Sequence, residues 1–472
     1  MSSAEDQHRR NAALRELPGV DTASGWPELA GVPPRARLQA LRELLDQVRT
    51  ELLHGSRADC PGRAELVERL LRQFQVLVTP SLRPVINATG VLLHTNLGRA
   101  PLPESAIEAV RAAAGNTNLE YDLDLGTRGG RGSGVNQLLC TLSGAPAALV
   151  VNNCAAAVLL CISTLAAGKE VIVSRGELVE IGGSFRIPEV VTQGGARLRE
   201  VGTTNRTHLR DYAAAIGADT AGILKVHASN FQVVGFTHEV SVAELVELAR
   251  QRSESEGRKL FVLEDLGSAS FLPLSVDGAI RTPTPLDSLS VGADLVCFSG
   301  DKLIGGPQAG LILGSSEAVG AARRHPFYRA LRPGKLTLAA LEATLRHHLD
   351  PSGREHLPLH AAISRTVESL TARAERLLEA LAGAEGVTLE RVPTDATIGG
   401  GSIPGQRVPS VAVRLRFHER EASEAAAELR RGPRPVVGRV KDGALWLDLR
   451  TVHPDADDAL AAVLRGLLWG AS

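Results

Sequence analysis

Residues 291–310, VGADLVCFSGDKLIGGPQAG, present a lysine between two strand-like runs. Leu295, Val296, Cys297 and Phe298 form a short apolar run of the kind that makes a buried strand. Ser299, Gly300 and Asp301 end it, and Lys302 follows. Gly305, Gly306 and Pro307 line the turn before a second run, Ala309 to Leu313. An amine becomes a useful nucleophile when it is partly desolvated and held by a rigid frame. One recurrent use is a Schiff base with the aldehyde of pyridoxal phosphate (PLP). A turn lysine directed into water is the competing reading.

The rest of the chain favours the first. Basic residues are almost all arginine, and the lysines are only Lys169, Lys225, Lys259, Lys302, Lys335 and Lys441. Lys169 and Lys259 precede strands, Lys441 lies in a KDG turn, and Lys335 sits in RPGK. Lys225 begins VHASN, so Lys302 has the best setting for a Schiff base. Upstream, LFVLEDL (260–266) is an apolar strand ending in Glu264 and Asp265. Open α/β sheets bind ligands at the carboxyl ends of their strands. PLP needs a carboxylate there to keep its pyridine nitrogen protonated. Asp265 followed by Lys302 is the order of the aspartate-aminotransferase-like (type I) PLP fold. A strand-end carboxylate that caps a turn is the alternative for Asp265.

These residues need a frame. AALVVNN (147–153) followed by CAAAVLLCISTLAAG (154–168) reads as strand, turn and helix. Helix N-termini bind phosphate through free N–H groups, and the small Cys154, Ala155 and Ala156 allow close approach, so the PLP phosphate is assigned there. An ordinary βα crossover is the other reading. Strand and helix patterns alternate from 170 to 266, which predicts a mostly parallel sheet with helices on its faces. Polar clusters fall at successive strand ends: Ser174-Arg175-Glu177, Thr203-Thr204-Asn205-Arg206, His227-Ser229-Asn230 and Glu264-Asp265. His227 either contacts the cofactor or is a satisfied strand-end histidine. Ser299 ends its strand beside the lysine turn and is counted with the cofactor residues. Asp301 either assists the chemistry or orients the loop.

Flanking this core, residues 1–75 predict a separate helical domain, with Leu38, Leu41, Leu44, Leu45, Val48 and Leu52 at helical spacing. Cys60-Pro61-Gly62 breaks it before a second helix, AELVERLLRQF. It reads as a small bundle or dimerisation arm, or as an arginine-bearing module that grips a nucleic-acid backbone. Residues 76–335 make the large α/β domain, entered by a polar loop from Asn87 to Arg99. Arg99 is a candidate anion ligand or the partner of a surface carboxylate. NLEYDLDLGTRGGRGSG (118–134) reads as a mobile glycine-rich loop near the substrate, and TIGGGSIPG (397–405) as a loop able to fold over a cleft. Residues 336–472 predict a small α+β domain.

Composition sets bounds. The chain has 472 residues, 44% of them hydrophobic and only 3% aromatic, so the core is Leu, Val and Ala. Its formal net charge of −1 calls for no polyanion partner in bulk, though a local patch would suffice. Five cysteines without a C-x-x-C pair suit a reducing cytosol, and no metal site is expected. No apolar run approaches a membrane span, and the polar N-terminus lacks a signal-peptide pattern. A cytoplasmic location is the expectation.

Several longer motifs point one way. NATGVLLHTNLGRAPLP, EYDLDLGTRGGRG, VNNCAAAVLL, SRGELVEIGGSFRIPEV, EVGTTNRTHLRDY, KVHASNFQVVGF, EDLGS and FSGDKLIGGPQAGLILG resemble the bacterial selenocysteine synthase (L-seryl-tRNA(Sec) selenium transferase) family. The resemblance covers most of the chain, by letters in the core and by organisation at both ends. It implies a type I PLP enzyme with Lys302 as the Schiff-base lysine. It implies an N-terminal domain that binds serine-charged tRNA(Sec), and a homodecamer of five dimers. It also implies that Arg99, Arg329 and Arg332 line the pocket for selenophosphate, and that selenocysteinyl-tRNA(Sec) forms through a PLP-bound aminoacrylyl (dehydroalanyl) intermediate. Two rivals stand beside it: a PLP lyase or aminotransferase acting on free amino acids or sugar-amine phosphates, and a tRNA-binding scaffold without chemistry.

Overall fold

The computed structural model describes all residues except 1, 182–184, 232, 272–273, 275–281, 283, 401, 403–404 and 471–472. The chain forms two compact units, Met1–Pro84 and Val85–Ser472.

The first unit is helical. Helices Ser2–Glu16, Val20–Ser24, Pro34–Leu53 and Arg63–Val78 surround one apolar cluster. Leu41, Leu44, Leu45, Val48 and Leu52 recur every three or four residues, and that spacing puts them all on the buried face of one helix. Arg57 makes a two-pronged pair with Glu65, and Arg69 another with Glu51, across the helix junction. Arg35 and Arg42 stand seven residues apart on the same helix, exposed.

The second unit is built on a seven-stranded sheet. Its strands are β1 (Ala147–Val151), β2 (Glu170–Ser174), β3 (Arg197–Val201), β4 (Thr220–Val226), β5 (Phe261–Gly267), β6 (Leu295–Ser299) and β7 (Gly310–Gly314). The spatial order is β1-β7-β6-β5-β4-β2-β3, and only β7 runs against the others. The strands read as unbroken apolar runs because both sheet faces are covered. Leu149, Val151, Leu295, Cys297 and Ile312 pack on one face, against the Cys154–Leu165 helix. Their neighbours Ala148, Val150, Val296, Phe298, Leu311 and Leu313 pack on the other, with Leu139 and Leu341 from helices Ser133–Ser143 and Lys335–Arg346. The parallel pairing of β4, β5 and β6 places their carboxyl ends on one edge, where Asp265 is in register with Val226 and with Cys297.

The C-terminal part adds an antiparallel four-stranded sheet, β8 (Val387–Thr397), β9 (Arg407–Phe417), β10 (Arg439–Lys441) and β11 (Ala444–Asp448), in the order β8-β9-β11-β10. Helices Val367–Ala380, Ala422–Arg431 and Asp457–Trp469 cover it. Ile86–Asn87 pairs in parallel with Val436–Val437, and the Leu92 and Leu93 N–H groups donate to Thr397 and Ile398. The stretch leading into the large domain is thus hydrogen-bonded to this C-terminal layer. Of the loop 397–405, residues 401, 403 and 404 lie outside the described ones.

The stretch 118–134 forms a hairpin rather than an open loop, with Tyr121–Asp122 paired to Thr127–Arg128. The Asp122 side chain accepts from the Asp124 and Leu125 N–H groups, and Gly126 takes φ +67° to close the turn. No helix among the described residues is long and apolar enough to cross a membrane.

Candidate active site

Strand β6 is buried along its length, and Ser299 at its end pairs with Gly310 of β7. The connecting turn folds back on itself: the Gly300 N–H donates to the Ala309 carbonyl and the Gly306 N–H to the Gly300 carbonyl, both at 2.9 Å. A side chain at Gly300 would meet the Pro307 carbonyl oxygen at 2.8 Å, which accounts for a glycine there. Lys302 is carried by this turn and is only 4% exposed. Burial holds its amine below the ordinary lysine range, and the nearby Arg99 charge acts in the same direction. Its Nζ lies 3.9 Å from where a Cβ on Gly267 would stand, so the amine reaches the end of β5.

Asp265 sits at that end, 3% exposed. Its Oδ1 accepts from the Gly267 N–H at 2.9 Å and from the Cys154 thiol at 3.4 Å. Burial raises the carboxyl above its usual range. A buried carboxylate at a strand end suits a cationic hydrogen-bond donor, which a protonated ring nitrogen is. The residues therefore fit a pyridine-bearing cofactor.

The thiol on Asp265 belongs to the first residue of the Cys154–Leu165 helix, and burial pushes it well above the ordinary thiol range, so it stays protonated. The Asn153 side chain caps this helix by accepting from the Ala156 N–H at 2.8 Å. The N–H groups of Cys154 and Ala155 remain for an anion, whereas that of Ala156 is spent on the cap. His227 follows β4, and its backbone N–H donates to the Asp265 carbonyl at 2.9 Å. Burial lowers its imidazole below the ordinary range. His227 lines a neighbouring cavity of about 840 Å³, together with Glu177, Thr203, Thr207, Phe231 and Glu239. Lys302 and Asp265 are not among the residues lining that cavity.

Arg99 has φ +60°, one of two non-glycine residues in the left-handed region among those described. Such a conformation costs energy, and surrounding contacts must hold it. Its N–H donates to the His94 carbonyl, and its Nη1 donates to Asp301 Oδ2 at 2.8 Å. Arg332 follows the Pro326–Leu331 helix and pairs with Glu120 at 3.3 Å, as does Arg131 at 3.0 Å. The Asn152 N–H donates to the Leu331 carbonyl, which ties this helix to the end of β1. Arg329 is exposed and makes no ion pair among the described residues. Lys302, Asp265 and Cys154 converge, whereas His227 meets them only through its backbone N–H. Arg99 joins them through Asp301, but shares no hydrogen-bond partner with Arg329 or Arg332 among the described residues.

Sequence reasoning named Ser229 and Lys225 without giving either a role, and passed over His348 and His360. Ser229 is fully buried, its hydroxyl unpartnered, and its Oγ lies 3.2 Å from where a Gly267 Cβ would stand. Lys225 points into the protein, where Glu177 takes its Nζ at 2.6 Å. Burial acts to lower this lysine's pKa, but the charge and hydrogen bond of Glu177, together with the Glu239 and Glu264 charges, outweigh it and raise the amine above its ordinary range, the opposite direction from Lys302. His348 and His360 back the lysine turn. Only Ser229, within a polar strand-end cluster, left a sequence signal.

The family model described as "SelA: L-seryl-tRNA selenium transferase" matches residues 85–453. The L-seryl-tRNA(Sec) selenium transferase of Moorella thermoacetica is 47% identical over 465 residues, covering 97% of each chain. That of Geotalea uraniireducens (strain Rf4) is 46% identical over 468 residues, covering 96% of this chain and 99% of its own. Among solved structures, D-glucosaminate-6-phosphate ammonia-lyase superposes with a TM-score of 0.57 at 21% identity, over 84% of this chain and 98% of that one, a likeness of fold.

Proposed function

The chain belongs to the L-seryl-tRNA selenium transferase family, and from that premise we propose how its residues divide the work of the reaction. It is a PLP-dependent transferase of the aspartate-aminotransferase-like (type I) fold that converts L-seryl-tRNA(Sec) to L-selenocysteinyl-tRNA(Sec). Membership over nearly the whole chain supersedes both rival readings, the lyase or aminotransferase and the non-catalytic scaffold.

PLP, when bound, supplies an electron sink that acidifies the serine Cα and allows the β-hydroxyl to leave. Lys302 is the residue that holds the cofactor covalently. Freed from it, the amine is the base placed to take the Cα proton and later return it. Its lowered pKa suits that role, because a base must be neutral to accept a proton. Asp265 would hold the ring nitrogen protonated, while the Gly267 N–H and the Cys154 thiol fix the carboxylate's orientation. The N–H groups of Cys154 and Ala155 receive the phosphate. Ser299, and His227 through Asp265, shape the walls. Asp301 orients Arg99 and stands next to Lys302.

Selenophosphate is the selenium donor, held by Arg99, Arg329 and Arg332. Three guanidiniums suit a small polyanion, whereas one would serve a carboxylate. Glu120 neutralises part of this charge in the single chain. The helical residues 1–75 bind the tRNA. Arg57, Arg63 and Arg69 are committed to Glu65, Glu28 and Glu51, so the exposed Arg35 and Arg42 are the better phosphate contacts. Residues 76–335 carry PLP, and 336–472 form the smaller domain. The assembly is a homodecamer of five dimers in the cytoplasm.

The observation that carries the site assignment is the buried carboxylate of Asp265 at the strand end that the buried Lys302 amine reaches. The test is the visible spectrum of the PLP-loaded enzyme with seryl-tRNA(Sec), against seryl-tRNA(Ser). A band perturbed only by the selenocysteine tRNA, with product dependent on selenophosphate, is expected. Perturbation by free serine but by neither tRNA would contradict it.

A further inference from the structure

Five consecutive backbone carbonyls run through the lysine-bearing turn, and each has a donor. Gly300 accepts from the Gly306 N–H at 2.9 Å, Asp301 from the Ala100 N–H at 3.2 Å, and Lys302 from the Gly305 N–H at 2.9 Å. The next two donors are side chains. The Leu303 carbonyl accepts from His360 Nε2 at 2.7 Å, and the Ile304 carbonyl from His348 Nε2 at 2.8 Å. A carbonyl only accepts, so each ring carries its proton on Nε2.

The two histidines arrive from different elements. His348 follows the Lys335–Arg346 helix, and His360 lies in the Pro358–Ser364 helix. Their rings stand edge to face with centroids 5.5 Å apart, and His348 stands edge-on to Phe271 at 5.9 Å. Both are buried, and each Nδ1 is unpartnered. Burial holds both imidazoles below their ordinary range, His348 at about 4, so both are neutral donors at neutral pH. A histidine that merely fills a core needs one partner of any kind. Here two imidazoles converge on adjacent carbonyls, the two that immediately follow Lys302.

We propose that His348 and His360 are positioning residues that set the path of the Lys302 turn and so deliver the amine to the end of β5. Leu303 and Ile304 are fully buried in separate apolar clusters, so the turn has no water to satisfy its carbonyls. Without an imidazole, a buried carbonyl is orphaned and the turn must rotate to find another donor. Lys302, one and two residues upstream, moves with it. The inference rests on the reading of Lys302 as the cofactor-bearing lysine.

The test uses the full-length PLP-loaded enzyme and four variants. His348→Leu and His360→Leu remove the donor, whereas His348→Gln and His360→Gln restore an N–H near the Nε2 position. The Leu variants are expected to lose roughly ten- to a hundredfold in kcat, the scale of a misplaced catalytic group. KM for seryl-tRNA(Sec) should stay within about twofold of wild type, and the visible cofactor band should shift. The Gln variants should recover most of both. Leu variants that keep wild-type kcat and band would overturn the inference, as would folded Gln variants that fall as far as the Leu ones. If a Leu variant fails to fold, the Gln variant decides: wild-type kcat and band support the role, and a Leu-like deficit in a folded Gln protein overturns it. Borohydride trapping in the wild type separates the underlying reading. A cofactor trapped on another lysine defeats the Lys302 assignment, and this inference with it, before any variant is made.

Discussion

Arg99 Nη1 donates to Asp301 Oδ2 at 2.8 Å, while the other oxygen of that carboxylate, Oδ1, is buried without a partner. An arginine in a left-handed backbone conformation is thus locked to the residue next to Lys302. The pairing orients the guanidinium but occupies only one of its nitrogens, which leaves donors for an anion.

Arg99→Lys keeps the charge and loses the planar fork. If Arg99 contacts the selenium donor, kcat/KM for selenophosphate falls roughly ten- to a hundredfold, the worth of a charge-assisted hydrogen bond of about 1.5–3 kcal/mol. KM for seryl-tRNA(Sec) is unchanged. Steady-state kinetics with each substrate varied in turn checks this, and an equal loss for both substrates would place Arg99 outside the donor pocket.

Asp265→Asn preserves shape and removes the charge that complements a protonated ring nitrogen. Cofactor affinity is expected to weaken roughly ten- to a hundredfold by the same arithmetic. Equilibrium dialysis against PLP measures it. Unchanged affinity together with unchanged turnover would remove Asp265 from the cofactor.

The buried Lys225–Glu177 pair is structural. Breaking it by Glu177→Ala leaves the buried ammonium with the exposed Glu239 carboxylate at 3.7 Å as its ion-pair partner, and should cost up to about 3–5 kcal/mol of stability. The double variant Glu177→Leu with Lys225→Met removes both charges and should recover much of that loss. Thermal melting of the single and double variants decides. A single variant that melts like wild type would show that water reaches Lys225.

His348 links stability to pH. Its folded-state pKa of about 4 lies below the unfolded value of 6.5, so the native state binds fewer protons. Its contribution is complete above pH 6.5 and is lost as pH falls toward 4, by an amount of roughly 3 kcal/mol. His348→Gln should melt with less pH dependence across that window. Parallel melting curves for wild type and variant would contradict a buried neutral His348.

Much of this site was legible in the sequence, for a physical reason. Strand β6 and the end of β5 are apolar runs that stop abruptly at Asp301-Lys302 and Glu264-Asp265, and sheet geometry then places both ends on one edge. The hairpin at 121–128 was less visible, because it depends on the Asp122 side chain closing its own turn rather than on periodicity. Ala156 was expected to offer its N–H to phosphate, and the Asn153 cap that takes it is a local choice between two acceptors. His348 and His360 were beyond reach: their partners are backbone carbonyls 44 and 57 residues away, and a carbonyl has no letter in the sequence.

The central claim is that Lys302 carries the cofactor. Borohydride reduction of the PLP-loaded enzyme, followed by proteolysis and mass mapping, tests it most directly. The account predicts a reduced pyridoxyl group on the peptide containing Lys302, and none on Lys225. It also predicts that the pH midpoint for labelling the cofactor-free enzyme with PLP lies below the ordinary lysine value of 10.5, because burial favours the neutral amine. A label on any other lysine, or an unlabelled Lys302 in an enzyme that still turns over seryl-tRNA(Sec), would contradict it.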